Sequence, residues 1–362
     1  MSDYSASSLD LDFFNSGGTA TSVYIGNKAS DVAAAEDWLG TSLDAIQLHQ
    51  GVSSWSDWLH SVSWIDDQLS SVDTPKMWSI GLIPWGASLS EAASGSYNDN
   101  YLALAEQMLA EAPDDGAIYI RLGWEMNTDG WNPWSAAGDA ESYVGAYQQF
   151  VDQFRDVSDR FVFEWTPNIN TGVDPEAFYP GDDYVDVVGI DFYYNTQWDS
   201  TDATRAFSWF VTEQWGLQWQ QDFAAEHGKA TAIAEWGLNS DSAEFVRLVA
   251  DWAETNDMLY QNYWDSDAAF QGKLSSGQYP SASAAFVEAF GTTVASEVVL
   301  DSGDVAMALT GSHDQNMIGN ALDNVLVGND GVNLIKGGWG NDIIDGGHGA
   351  DIMQGGDGND LF

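Results

Sequence analysis

Ala117-Ile-Tyr-Ile-Arg-Leu-Gly-Trp-Glu-Met-Asn127, followed closely by Trp131 and Trp134, is the stretch from which the fold can be read. Residues 117–122 form a short apolar run with β-branched side chains, and the turn signal Pro113-Asp-Asp-Gly116 stands before it. That combination predicts a buried strand. Gly123 ends the run, and Glu125, Asn127, Trp124, Trp131 and Trp134 follow within a few residues. A carboxylic acid at a strand mouth among indoles suits a sugar. Indole faces stack on pyranose rings, and an apolar wall raises a carboxyl pKa towards that of a general acid. Lys229-Ala-Thr-Ala-Ile-Ala-Glu-Trp-Gly237 repeats the arrangement, with a second buried run closing on Glu235 and Trp236. One such Glu would read as a loop residue on the surface. Two at equivalent strand ends read as carboxylates facing each other across a sugar cleft.

Composition narrows the classes further. The 362-residue chain sets 10 Lys+Arg against 56 Asp+Glu, a formal net charge of −46. Nucleic acid and anionic membranes are excluded as partners, since both need basic patches. At 44% hydrophobic residues with 18 Trp, this is not a disordered acidic chain. Without cysteine there is no disulfide framework, thiol nucleophile or thiolate metal site. No two His stand at metal-ligand spacing, and no Ser/His/Asp set is evident. Residues 1–10 lack the basic and apolar regions of a secretory signal, and no apolar stretch reaches membrane-spanning length. Export is expected to use another address.

Beyond a polar arm at 1–20, apolar runs alternate with amphipathic segments. The runs are 22–25, 45–48, 77–83, 118–122, 161–165, 185–190, 230–234 and 258–263. Helical spacing is expected at 31–39, 55–69, 101–108, 143–154, 203–227, 242–254 and 282–290, while the segment after Trp165 reads as mostly loop. Eight strand–helix alternations predict a (β/α)₈ barrel over residues 21–291. Polar and aromatic residues collect after several strands, among them Trp165, Tyr193 and Trp264, with His49 a candidate at the end of the second. Trp209, Trp215 and Trp219 read as a packing face on one long helix.

After a linker at 292–310, a period of nine begins within 311–362. Gly337-Gly-Trp-Gly-Asn-Asp-Ile-Ile-Asp345 is one of five units of the form G-G-x-G-x-D-x-U-x. The apolar position holds Leu326, Ile335, Ile344, Met353 and Phe362. Each unit should form a Gly-rich turn and a very short strand of a parallel β-roll. Asp342, Asp351 and Asp360 are the expected ligands of structural Ca²⁺, with backbone carbonyls completing the shell. Asn324 and Asn333 replace them in the first two repeats, which should bind weakly or act as a cap. The segment resembles the RTX repeats of bacterial proteins exported by type I secretion machinery. That resemblance implies an extracellular destination.

The barrel resembles glycoside hydrolase family 26, which includes β-mannanases, β-1,3-xylanases and lichenases. Arg121-Leu-Gly-Trp-Glu-Met-Asn127 with Trp131 and Trp134, Phe163-Glu-Trp-Thr-Pro-Asn168, the run from Tyr179 to Tyr193 and Ile233-Ala-Glu-Trp-Gly237 carry the likeness, over most of residues 20–290. By that resemblance Glu125 is acid/base and Glu235 the nucleophile of a retaining mechanism that needs no cofactor. Tyr193 bonds the nucleophile, Arg121 helps hold the site, and Trp131 stacks on sugar. Asn127, Trp124, Trp134, Trp165, Trp236 and Trp264 complete the expected substrate contacts. The family's usual His before the acid/base is Trp124 here, so the reaction type carries over and the sugar does not. The expectation is a secreted, monomeric endo-β-glycosidase acting on mannan, a related hemicellulose or a bacterial exopolysaccharide. The alternative is a non-catalytic glycan-binding or matrix protein using the barrel as a lectin.

Overall fold

Eight parallel strands close into a barrel in chain order. They are β1 (Ala20–Tyr24), β2 (Ala45–His49), β3 (Lys76–Ile80), β4 (Ile118–Leu122), β5 (Phe161–Trp165), β6 (Val187–Tyr194), β7 (Ala230–Leu238) and β8 (Tyr260–Trp264). Each apolar run of the sequence falls on one of them. The computed structural model describes residues 19–113, 116–169, 171–291, 296–309, 315–329, 331, 333–349 and 351–362. Residues 1–18, most of the expected arm, lie outside that set. The chain divides into two units: one ends at Ser283, and the other runs from Ala284 to Phe362 and takes in Leu39–Thr41.

The helices are α1 (Ala29–Leu39), α2 (Trp55–Gln68), α3 (Leu89–Ala93), α4 (Asn98–Glu111), α5 (Ala140–Val157), α6 (Ala203–Thr212), α7 (Leu217–His227), α8 (Ala243–Thr255) and α9 (Pro280–Phe290). The longest, α5, is capped by Asp139 and buries Tyr143, Tyr147, Phe150 and Phe154 on one face. Residues 203–227 form two helices, not one. The chain breaks between α6 and α7, where Trp215 takes left-handed backbone (φ 62) and a side chain at Gly216 would strike the Phe210 carbonyl. Packing falls to Phe207, Phe210, Leu217 and Phe223, and the three tryptophans are only half-buried.

Alternation along the strands stacks the barrel interior in layers. The lowest is apolar except for two tyrosines: Ala20, Ala45, Met77, Tyr119, Val162, Val187, Ala232 and Tyr260. Two residues further on, the layer is polar and buried: Ser22, Gln47, Ser79, Arg121, Glu164 and Asn262. Most of its groups are hydrogen-bonded to one another or to the adjoining layers, though Arg121 Nε is not. Ser22 donates to Asn262 (2.8 Å), Asn262 to Gln47 (2.7 Å) and Gln47 to the Ala234 carbonyl (3.1 Å). Glu164 accepts from the hydroxyls of Tyr119 (2.6 Å), Tyr260 (2.5 Å) and Thr166 (2.5 Å). Gly189 makes room, because a Cβ there would collide with Glu164 and Thr166. Between β6 and β7 the register slips, so that Ile190 pairs with Ile233 but Asp191 with Glu235. Such a bulge re-aims a side chain, and here it sets Asp191 beside Glu235.

The second unit is a parallel β-roll of two sheets. One holds β9 (Ser296–Val299), β11 (Gln315–Ile318), β13 (Leu334–Trp339) and β15 (Ile352–Asp357). The other holds β10 (Ala306–Ala308), β12 (Val325–Val327) and β14 (Ile343–Asp345). Within the expected linker, residues 296–299 and 306–308 therefore supply a strand to each sheet. Leu300, Leu309, Met317, Leu326, Ile335 and Ile344 fill the core. Met353 and Phe362 are exposed instead of buried, since among the described residues no further turn stacks on the last two.

Candidate active site

Glu125 stands on a turn that strand geometry could not provide. Gly123 and Glu125 both take left-handed backbone (φ 53 and 54), which costs a non-glycine residue about 1–2 kcal/mol. Bonds hold it there. The Glu125 N–H donates to the Thr166 carbonyl (2.8 Å), and its own carbonyl accepts from the Thr128 N–H (3.1 Å) and hydroxyl (2.7 Å). Asn168 Nδ2 donates to Glu125 Oε1 (2.5 Å). Burial pushes the Glu125 carboxyl up to about 7, reinforced by the Glu235 charge and opposed by Arg121 and the Asn168 bond.

Glu235 is held differently. Arg121 Nη1 donates to its Oε2 (2.9 Å), and the Tyr193 hydroxyl donates to its Oε1. The other end of the guanidinium donates to Asp191, and its Nε lies 4.0 Å from Glu164. Burial works against the Arg121 cation, but Asp191, Glu235 and Glu164 more than offset it and raise its pKa. Burial, with the Glu235 and Glu125 charges adding, pushes Asp191 well above the usual carboxylate range. His49 approaches Glu235 Oε2 at 3.9 Å, yet burial and then Arg121 lower its pKa to about 3. The imidazole is neutral at ordinary pH and packs edge-on against Tyr24, Trp124 and Trp264.

A cleft of about 810 Å³ opens over these groups, lined by both glutamates, His49, Trp124, Asn127, Asn168, Tyr193 and Trp264. Trp131 and Trp198 also line it and are 68% and 82% exposed. Arg121 lies among the buried residues beneath. Three expected sugar contacts are elsewhere. Trp165 and Trp236 follow inward-facing residues on their strands, so alternation turns them outward: Trp165 packs on Phe223 and Tyr179, Trp236 on Tyr263. Trp134 folds back, donates to the Trp124 carbonyl (2.7 Å) and packs where Gly81 has no side chain. Asn168, Asp191, Trp198 and Phe270 were not singled out as sugar or site contacts. Strand parity counted from Glu164 would have flagged the inward residues after β5, but nothing local marks Trp198 or Phe270.

The roll presents its carboxylates in columns. Asp342 Oδ1 accepts from the Asn324 N–H (2.8 Å), Asp351 Oδ1 from the Asn333 N–H (2.9 Å) and Asp360 Oδ1 from the Asp342 N–H (3.0 Å). Asp342 Oδ2 is buried with no hydrogen-bond partner, which fits a hard cation that takes its other oxygens from the Gly-rich turns. The asparagine turns are closed by amides instead. Asn324 Nδ2 donates to the Asp304 carbonyl and to Asn320 Oδ1 (both 3.2 Å), and Asn333 Nδ2 donates to Asn329 Oδ1 (2.9 Å).

A parallel barrel with two unlike carboxyls at the C-terminal ends of its strands has the architecture of a glycoside hydrolase. Residues 93–215 match the family model of glycosyl hydrolase family 26, and residues 318–353 and 327–362 match the RTX calcium-binding nonapeptide repeat. The family 26 match thus falls on part of the barrel and the repeat matches fall on the β-roll, whose structural ion is Ca²⁺. Glu125 and Tyr193 fall within the first match, and Glu235 lies beyond it. The chain is similar to Endoglucanase H of Acetivibrio thermocellus, 27% identical over 220 residues, which are 57% of this chain and 22% of that one. It is also similar to Mannan endo-1,4-beta-mannosidase of Bifidobacterium adolescentis, 31% identical over 156 residues, or 41% and 15% of the two chains. It thus spans under a quarter of the length of either relative. The fold is shared with a Bacillus subtilis mannanase, at a TM-score of 0.55 and 13% identity over 78% of this chain and 89% of that one.

Two predictions come from this geometry. Between pH 4.5 and 7 the native state keeps a Glu125 proton that the unfolded chain loses, so stability falls over that window and then levels off. Glu125→Gln removes the penalty and should stabilise the protein by about 3 kcal/mol above pH 7 and not at all below pH 4.5; denaturant midpoints at pH 4 and pH 8 check this. For the repeats, EGTA should strip amide-exchange protection from residues 334–362 while the barrel strands keep theirs. Joint loss would show that the two units fold as one.

Proposed function

We propose that the barrel is a retaining endo-β-glycosidase that cleaves a β-linked polysaccharide by double displacement. The observation that carries this reading is the contrast between two carboxyls in one cleft. Glu125 keeps its proton to about pH 7, whereas Glu235 receives the guanidinium of Arg121 and the hydroxyl of Tyr193. A carboxyl that keeps its proton beside one that accepts a guanidinium and a hydroxyl is the pairing of a general acid with a nucleophile.

In the first step a Glu235 oxygen bonds to the anomeric carbon, the glycosidic C–O bond breaks, and Glu125 gives its proton to the departing oxygen. In the second, Glu125 takes a proton from water, the water oxygen bonds to the anomeric carbon, and the bond to Glu235 breaks. Arg121 and Tyr193 orient Glu235 and stabilise the charge that returns to it. Retention is supported by the family resemblance, and the endo mode by the exposed Trp131 and Trp198 along an open cleft. The relatives are named for a glucanase and a mannosidase. Trp124 fills a position usually held by His in this family, so the sugar is to be sought among mannan, related hemicelluloses and bacterial exopolysaccharides.

The calcium-binding repeats support an extracellular site of action reached by type I export, because calcium is scarce in the cytosol and binding is coupled to folding. A calcium titration followed by circular dichroism checks this, and a folding midpoint at cytosolic calcium levels would remove the support.

The deciding experiment is product release from β-mannan, β-1,3-xylan, mixed-linkage glucan and bacterial exopolysaccharides. Oligosaccharides should appear from one polymer, with kcat/KM falling as pH rises through about 7 and the Glu125 proton is lost. Glu125→Gln should reduce that rate about 10²–10⁴-fold, and Glu235→Ala should abolish turnover while leaving binding. Binding without release by the wild-type protein would replace the enzyme with a glycan-binding protein.

A further inference from the structure

Asn127, expected at the sugar, commits its amide inside the protein. It is 2% exposed. Its Oδ1 accepts from the backbone N–H of Asn168 (3.0 Å), and its Nδ2 donates to the Asn168 carbonyl (2.9 Å) and to the Thr171 hydroxyl (2.9 Å). Both backbone polar groups of Asn168 are therefore clamped from the β4 loop. The residues on either side are tied to β6, since Asp191 N–H donates to the Pro167 carbonyl and Ile169 N–H to the Asp191 carbonyl (both 3.0 Å). With its backbone fixed on two sides, Asn168 directs its side chain into the cleft, where Nδ2 meets Glu125 Oε1.

We propose that Asn168 is the positioning residue for Glu125: its amide fixes Oε1 as an acceptor, so that the transferable proton resides on Oε2, and Asn127 acts through it. A protonated carboxyl has one carbonyl-type oxygen and one hydroxyl, and the first is the better acceptor for an N–H donor. Asn168 thereby decides which oxygen delivers the proton to the leaving group and recovers one from water. The inference rests on the reading of Glu125 as acid/base.

The other groups around Glu125 are charged or titratable. Glu235 of β7 raises its pKa and Arg121 of β4 lowers it, while Asp191 and Tyr193 of β6 respond to its charge. His49 and Asp129 line the same cleft. Asn168 is the neutral member of the set, so replacing it with a neutral residue leaves each of those charges in place. Because the donor favours the ionised form, its loss should move Glu125 upward.

The test is a ¹³C NMR titration of the protein labelled at glutamate carboxyls, with Glu125 assigned by its absence in Glu125→Gln. Asn168→Ala should raise the Glu125 midpoint by about one pH unit. Asn168→Leu, which is neutral and of similar size but has no donor, should raise it as far, and Asn127→Ala by less. Circular dichroism confirms folding, and the Leu variant decides the matter if the Ala variant does not fold. A midpoint unmoved in the folded variant overturns the proposal. On the polymer that the wild-type enzyme cleaves, Asn168→Ala should lose at least about tenfold. In kcat/KM, which reports only the steps up to the glycosyl-enzyme, the 2,4-dinitrophenyl glycoside of the same sugar, whose leaving group needs no proton, should lose under about threefold. Equal losses on both overturn the proposal as well. Should Glu125→Ala cleave the polymer at the wild-type rate, the acid/base reading fails, and the titration still decides whether the amide governs the carboxyl.

Discussion

The mouth of the barrel depends on keeping one guanidinium charged in the interior. Arg121 is 1% exposed, and a buried ion is destabilising by several kcal/mol unless its partners are well placed. Asp191 and Glu235 supply those partners from β6 and β7, with Glu164 of β5 a little further off. The bulge that sets Asp191 beside Glu235 is thus part of the same arrangement as the ion pair. Barrel closure across four strands and the aim of Glu235 are consequently fixed by one contact. The polar layer serves it: three hydroxyl donors satisfy Glu164, and Gly189 leaves the space that Glu164 and Thr166 occupy.

Burial and the neighbouring Glu235 charge raise the Glu125 pKa against the pull of Arg121. Asp191, Glu235 and Glu164 pair with the one guanidinium, and Glu125 stands buried near that cluster without an ion pair of its own to it. Asp191 and Glu125 are both pushed upward. Arg121 bonds directly to Asp191 and Glu235, while the Glu125 carboxyl accepts from the neutral amide of Asn168. Its raised pKa therefore follows from the local charge count together with burial. The left-handed turn that carries it adds strain of the kind expected where function sets the backbone.

Strand positions were legible because a buried parallel strand leaves a short apolar run that little else imitates. Facing was harder to read. Trp165 and Trp236 stand next to glutamates in sequence, which suggests proximity, but neighbours on a strand point to opposite sides and both indoles pack outward. Trp134 needed the fold of residues 125–134, which brings it back under Trp124. The break between α6 and α7 left only Gly216 as a local sign inside a strong helical period. Asn127 and Asn168 could be quoted from the motifs, but their roles arise from contacts between the ends of three strands, and no window of sequence contains those.

The repeats were the most legible part because their chemistry repeats within nine residues, and they also show how a one-atom change alters what a turn requires. An asparagine amide brings its own donor: Nδ2 of Asn324 and of Asn333 bonds within its turn or to the adjoining one, and the loop closes without a cation. At the corresponding position Asp342 has an oxygen instead, and that Oδ2 is buried without a hydrogen-bond partner. An oxygen so placed is costly unless a cation accepts it. Asparagine comes first in the array and aspartate later, at Asp342, Asp351 and Asp360. The turns closed by amides thus precede those that carry aspartate at the corresponding position. The later strands add onto these in register, since β12 pairs with β14, and β11 with β13 and then β15. The first turns, closed by their own amides, offer the later strands an edge to pair with.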